Sequence, residues 1–410
     1  MDPGRPNNTG RQDMEKLAIF GGDPVRKDRI FYGRQWIDES DVETVAAALK
    51  GDLITCGPYV DELEKELCRV TGAKYAVAVS NGTAALHCAA IAAGLGEGDE
   101  VITTPLTFAA SANCALYVGA TPVFADVDPE TYNIDPDSIE KCITDKTRAV
   151  IAVDYTGQAV DHDRIRQICK EHNLTFIIDG AHAIGTRYKG QPEGSLADMT
   201  CFSFHPVKTI TSGEGGAITT NDPELYKRLH LASQHGIVRE ASEFESEPEG
   251  PWVYEMQSLG FNYRMTDFQA ALLISQLKKL GKFSDRRKEI VNRYNEAFSE
   301  MPEIIVQKEI PESDTTRHLY ILQLDTDRLT CTRREFFDAM SAENVQCQVH
   351  YVPVYLFPYY QKLGYKKGLC PVAEKIYSRI MSIPLYPMMT DEDVEDVIKA
   401  VKKIVSAYRK

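Results

Sequence analysis

From Lys74 onward the chain alternates short, wholly apolar runs with helix-compatible stretches, and this rhythm restricts the possible folds more than any other feature of the sequence. YAVAVS (75–80) precedes a helical stretch from Thr83 and EVITTP precedes another near Ala109; TPVFADV and AVIAVDY follow, then a helical stretch from Asp161, then TFIIDGA. Strands that are apolar on both faces need cover on both faces, and helices in the crossover connections supply it. The expectation is an α/β unit built on a mostly parallel sheet. Ligands of such sheets bind outside the carboxyl ends of the strands. SNGT, TPLTF, DYTG and DGAH each occupy the turn after a strand, so they are expected to line one crevice.

Past Gly216 the pattern changes to a hairpin-like GAITTND, a helix, and an acidic loop rich in Pro and Gly over 240–251. A long helical stretch from Thr266 to about Glu300 follows, then strands (HLYILQL, VQCQVHY) mixed with helices up to Lys410. A chain of 410 residues exceeds what one hydrophobic core usually serves. The expected division is a disordered polar leader over 1–14, with Met14 a candidate for the functional start, a large unit with an N-terminal arm over 15–275, and a smaller C-terminal unit over 276–410.

The net charge of −14 argues against a nucleic-acid surface, which needs a basic face to displace counterions. No apolar run approaches the roughly 20 residues that span a bilayer, and the leader lacks the apolar core of a signal peptide. The ten cysteines are scattered singly, without zinc-ligand spacing. They read as reduced thiols of a cytoplasmic protein, with no metal site expected.

Four segments carry the chemistry: DGAH (179–182), SFHPVK (203–208), SGEGG (212–216) and SNGTAAL (80–86). A lone lysine is usually a solvated surface group. Lys208, however, follows the apolar strand TCFSF and precedes a glycine-rich turn, so it stands at a strand end, where desolvation can free its amine to form an imine with a carbonyl cofactor. Asp179 ends another strand and suits the ring nitrogen of a pyridine cofactor, whose proton a buried carboxylate holds; the plain alternative is a helix-capping aspartate. His182 is either a satisfied core histidine or a group near the cofactor's phenolic oxygen. The backbone N–H groups of Gly82, Thr83 and Ala84 open a helix and form a candidate phosphate cradle, though an ordinary capped helix satisfies the same pattern. Ser203 can add a hydroxyl to that phosphate. Phe108 can stack on a ring, although a core phenylalanine is the commoner explanation. SGEGG lacks the GK[ST] ending of a phosphate-binding loop, and no GxGxxG follows the first strand, so nucleotide-hydrolase and dinucleotide readings fail.

SNGTAAL, TPLTFAASAN, DGAHAIG, SFHPVKTITSGEGGAITTND, GFNYRMTDFQAAL and HYVPVY occur in an order that resembles the DegT/DnrJ/StrS-type sugar aminotransferases, from about Leu17 to the C-terminal helix. The resemblance implies an α/β, fold-type I transferase dependent on pyridoxal 5'-phosphate (PLP). Its large domain would carry a mostly parallel seven-stranded sheet and its smaller C-terminal domain would also be α/β. It further implies a homodimer with composite active sites and L-glutamate as amino donor. FSFHPVKTIT, VDYTGQAVD, GDLITCGP and QVHYVPVY resemble the branch that aminates a UDP-linked 4-keto-6-deoxy-N-acetyl sugar in pseudaminic acid-type biosynthesis. By position, Lys208, Asp179 and His182 match the catalytic residues, and Ser203 with Gly82, Thr83 and Ala84 the phosphate and substrate contacts. Asn262 matches an asparagine that reaches the other subunit's cofactor phosphate. Tyr32, the stretch Asp52, Leu53, Ile54, Thr55, and the stretch Gln348, Val349, His350, Tyr351 match segments that contact nucleotide-sugar. One departure is Gly180, which follows the aspartate where the family commonly carries Ala or Ser. Another nucleotide-linked keto-sugar as acceptor, a related PLP-dependent sugar dehydratase, and a non-catalytic protein on the same scaffold are the alternatives; Lys208 speaks against the last two, since the dehydratases characteristically lack that lysine.

Overall fold

The computed structural model describes residues 15–410, so the leader expected over 1–14 lies outside the described residues. The strands anticipated from the apolar runs form as β1 (Tyr75–Val79), β2 (Glu100–Thr103), β3 (Thr121–Phe124), β4 (Thr147–Val153), β5 (Thr175–Asp179) and β6 (Met199–Ser203). The stretch read as hairpin-like is β7 (Gly216–Thr220), which pairs antiparallel with β6 on one side and β1 on the other. The result is a seven-stranded sheet in the order β1-β7-β6-β5-β4-β2-β3, parallel except for β7. The mostly parallel seven-stranded expectation is met.

Helices cover the sheet as the apolar strands require. Helix α1 (Gly82–Ala92) follows β1, α2 (Ala110–Tyr117) follows β2 and α3 (His162–Glu171) joins β4 to β5. Helix α1, with the sequence GTAALHCAAIA, is buried on nearly every side, and its small side chains let it lie close against the sheet. The single helix expected over 266–300 is instead two, α4 (Asp267–Leu277) and α5 (Leu280–Phe298). The break falls at Lys279, whose Nζ lies 2.6 Å from both Asp38 and the buried Asp41. Tertiary anchoring overrides an unbroken helical pattern there.

The C-terminal part packs α5, the helix Arg333–Ala342 and α6 (Asp391–Tyr408) against an antiparallel sheet of β8 (Ile304–Val306), β9 (Tyr320–Leu324) and β10 (Ile380–Ile383). VQCQVHY, expected as a strand, makes only isolated bridges, Val345 to Ile30 and Gln348 to Ser382. Residues 17–32, counted with the large unit in the sequence reading, pack on this C-terminal core. Leu17 and Ile30 are buried in it, and the backbone N–H groups of Ala18 and Val25 each donate to the Glu343 carboxylate at 2.9 Å. Lys403 pairs with the same buried carboxylate at 3.0 Å. The strap ends at Tyr32, whose carbonyl accepts from the Leu385 N–H at 3.1 Å.

Candidate active site

A cavity of about 620 Å³ opens at the carboxyl ends of β1, β2, β4, β5 and β6, and Tyr32, His350 and Tyr351 wall it from the C-terminal side. Strand-end motifs thus converge as the parallel sheet demands.

Asp179 closes β5 and is buried. The Ser111 hydroxyl donates to its Oδ2 at 2.6 Å, and the Ala181 N–H donates to its Oδ1 at 3.1 Å. Burial raises its pKa, while the Ser111 and Ala181 hydrogen bonds and the charge of Lys208 pull it back down. One oxygen therefore holds the turn, as a capping aspartate would, and the other is oriented by Ser111. Gly180 does not turn the chain leftward; it continues beside β6, where a Cβ would come within 3.0 Å of Thr200 Cγ2. The departure from the family pattern is a packing requirement. Ser111, unremarked in the sequence reading, also lies 2.6 Å from the Thr107 hydroxyl. Two hydroxyls four residues apart across a helix start were the available signal.

Lys208 lines the cavity on the loop between β6 and β7, which is closed by Phe204 N–H to Gly215 O at 2.8 Å and Ser212 N–H to Phe204 O at 3.0 Å. Although the residue keeps partial exposure, the surrounding protein desolvates its ammonium and pushes its pKa down to about 8, against an upward pull from Asp179. A partly deprotonated amine near neutral pH is what nucleophilic attack on a carbonyl requires.

His182 is buried, and its Nε2 lies 3.2 Å from the Tyr351 hydroxyl while its Nδ1 has no partner among the described residues. Burial, then the charges of Lys208 and His350, hold it well below the ordinary histidine pKa, so it is neutral. Its ring lies 4.4 Å from that of His318, centroid to centroid, and nearly parallel to Tyr351 at 6.2 Å. His318 went unnoticed because nothing in its local sequence distinguishes it. Burial also pushes His350 down to about 4, and its Nδ1 lies 2.7 Å from Ser382 Oγ. Phe108 is 63% exposed and faces Tyr351 across the cavity at 6.4 Å, so the core explanation for this aromatic fails.

At the other end Gly82, Thr83 and Ser203 line the cavity. Ala84 does not offer its N–H there, because the Asn81 side chain accepts it at 2.8 Å as the cap of α1. Among the described residues no protein acceptor faces the N–H groups of Gly82 and Thr83. The cradle is thus two amides and a hydroxyl. Gly82 is obligatory by proximity, since a Cβ would lie 2.8 Å from Ser203 Cβ.

The structure does not bring every expected residue into this cavity. Asp52, Leu53, Ile54 and Thr55 lie on an exposed loop, Gln348 and Val349 stand just outside the lining, and Asn262 is exposed beside Gln234. His205 and Glu214, 4.0 Å apart on the lysine loop, line the cavity without having been anticipated.

Comparison with known proteins gives the same picture. The model of the DegT/DnrJ/EryC1/StrS aminotransferase family matches residues 35–402. The chain is 43% identical to the spore coat polysaccharide biosynthesis protein SpsC of Bacillus subtilis, over 91% of this chain and 96% of that one. It is 37% identical to the UDP-4-amino-4,6-dideoxy-N-acetyl-beta-L-altrosamine transaminase of Campylobacter jejuni, over 93% and 99%. The solved PMP-form of the putative sugar aminotransferase Spr1654 from Streptococcus pneumoniae superposes with a TM-score of 0.86 at 32% identity, covering 92% of this chain and 99% of that one.

Proposed function

The chain belongs to the DegT/DnrJ/EryC1/StrS aminotransferase family, and from that premise we propose that it transfers the amino group of L-glutamate to carbon 4 of a UDP-linked 4-keto-6-deoxy-N-acetyl sugar. It is a PLP-dependent enzyme of the fold-type I class. The residues present fit that cofactor: the free amides of Gly82 and Thr83 with Ser203 suit its phosphate, Asp179 its ring nitrogen, and Lys208 its aldehyde. Bound PLP supplies an aldehyde that accepts an amino group and a pyridinium ring that withdraws electrons from it. Asp179 keeps a proton at the ring nitrogen, and Ser111 fixes the orientation of that carboxylate. With the cofactor in place, the Lys208 amine would take up and return the proton at the reacting carbon. Neutral His182 and Tyr351 wall the site and exclude water.

The observation that carries this reading is the meeting of a lysine of depressed pKa and a buried aspartate in one cavity. The acceptor sugar rests on the likeness to the Campylobacter enzyme. Similarity to SpsC supports a second reading, another nucleotide-linked keto-sugar as acceptor. The division into units over 15–275 and 276–410 belongs to the same proposal, with residues 17–32 serving the second. So does the homodimer: Trp252, Met256 and Leu259, in the segment that leads to Asn262, are exposed, and exposed large apolar side chains suit a subunit interface. Ten unpaired cysteines suit a reducing cytoplasm, and no described helix is long and apolar enough to cross a membrane. Purified protein given PLP, L-glutamate and either UDP- or dTDP-linked 4-keto-6-deoxy sugars tests the assignment. Release of 2-oxoglutarate with the UDP-N-acetyl sugar alone is expected; turnover confined to dTDP-sugars would transfer the assignment to the second reading, and none with any acceptor would sink both.

A further inference from the structure

We propose that Asp154, His162 and Glu193 form a site for one divalent first-row transition-metal ion, buried next to the cofactor crevice but separate from it. Asp154 follows β4, His162 opens α3, and Glu193 follows the short strand Gln191–Pro192. Their exposures are 0%, 3% and 1%. One ligand-capable atom from each lies within 4.8 Å of the other two.

The hydrogen bonding leaves the cluster unsatisfied. His162 Nε2 lies 2.9 Å from Glu193 Oε2, and the Val160 N–H donates to Asp154 Oδ1 at 3.0 Å. Asp154 Oδ2, His162 Nδ1 and Glu193 Oε1 are buried with no hydrogen-bond partner among the described residues. No lysine or arginine pairs with either carboxylate among the described residues; His162 is Glu193's one ionic partner. Two ionised carboxylates beside a single imidazole would carry net negative charge into the buried interior, a large cost unless something positive balances it.

A divalent ion fits the spacing and the donor set. Bonds of about 2.0–2.2 Å to three donors put each pair roughly 3.3–3.8 Å apart, so drawing in atoms that now lie within 4.8 Å of one another needs shifts of up to about 1 Å. An imidazole among the donors selects against calcium and magnesium, which favour all-oxygen shells, and suits zinc, iron or their neighbours. The rings of Phe176 and Tyr188 lie 5.8 and 5.1 Å from that of His162 and form an apolar wall. Asp154 also donates its N–H to the Asp179 carbonyl at 3.2 Å. An ion here would fasten β4, α3 and the Gln191–Pro192 turn behind the strand end that carries Asp179. This role does not depend on which sugar is aminated.

Metal content of the holoenzyme is the test. Cells are grown in turn with added Zn²⁺, Mn²⁺ and Fe²⁺, and the native protein, Glu193→Gln and Asp154→Asn are gel-filtered in chelator and measured by plasma mass spectrometry. About one ion per chain is expected in the native protein. Loss of a ligand charge should lower retention by more than ~10-fold in both variants. The ten cysteines are common to all three proteins and cancel in the comparison. In addition, native protein stripped by chelator in mild denaturant should melt at lower temperature and recover when the ion returns. That strip-and-restore measurement decides the matter if neither variant folds. A native protein that binds no more metal than the variants, or whose melting ignores the added ion, overturns the proposal and leaves a proton on Asp154 as the balancing charge.

Discussion

Lys208 and Asp179 influence each other across the cavity, and each is shifted from its ordinary pKa chiefly by burial. The sign for Lys208 is definite: its amine is protonated below about 8 and free above it. Uptake of PLP by the cofactor-free enzyme, followed by absorbance, should therefore quicken roughly tenfold per pH unit below that value and level off above it; a rate still climbing at pH 10 would mark a fully solvated lysine. Lys208→Ala should abolish turnover without lowering the melting temperature, since amine and proton carrier vanish together. Ser111→Ala removes the shorter of the two hydrogen bonds to Asp179, and hydrogen bonds to charged groups are worth about 1.5–3 kcal/mol. Its kcat should fall by roughly 10-fold or more, and an unchanged kcat would show that Asp179 needs no such support. The placing of Lys208 and Asp179 in one cavity was legible in the sequence because both stand at or just beyond strand ends of one parallel sheet. Ser111 was obscured because any of the chain's serines could serve, and only the pairing of strands decides which one meets a carboxylate 68 positions away.

Whole elements were legible wherever a single periodicity governed them. The strands announced themselves by unbroken apolar runs, and the cavity by the turns after them. The division of α4 from α5 was not, since Lys279 becomes a break only when Asp38 and Asp41 stand opposite it. VQCQVHY carries strand-like residues, yet its backbone meets partners at isolated points only. Two substitutions test how elements fix the site. Gly82→Ala forces α1 and β6 apart at the phosphate end, an overpacking strain of about 1–3 kcal/mol, so PLP affinity should drop more steeply than the melting temperature. Arg287 of α5 is buried with no carboxylate partner among the described residues and donates from Nη1 to the carbonyls of Leu385 at 3.0 Å and His318 at 3.1 Å. Arg287→Ala leaves those carbonyls unpaired, and urea unfolding should show a loss of about 3 kcal/mol or more.

At the scale of the molecule, Asn262 is outside its own chain's cavity, and the composite-site proposal gives it a place in the partner's. Mixing Lys208→Ala with Asn262→Ala chains checks this. If each site draws on both subunits, heterodimers carry one site with both lesions and one with neither, and activity should rise as differently tagged chains exchange. Confirmed heterodimers no more active than the separate variants would return Asn262 to its own subunit. The strap over 17–32 has a further consequence, in time. Ala18, Asp23 and Tyr32 leave the ribosome early, whereas their partners Glu343, Lys403 and Leu385 come from far downstream. A nascent chain that has already exposed β1 to β7 carries both Lys208 and Asp179, but the wall bearing Tyr32 cannot be seated until translation reaches α6. Contacts so distant in sequence form late. A half-made chain therefore carries Lys208 in a cavity that still lacks the wall bearing Tyr32.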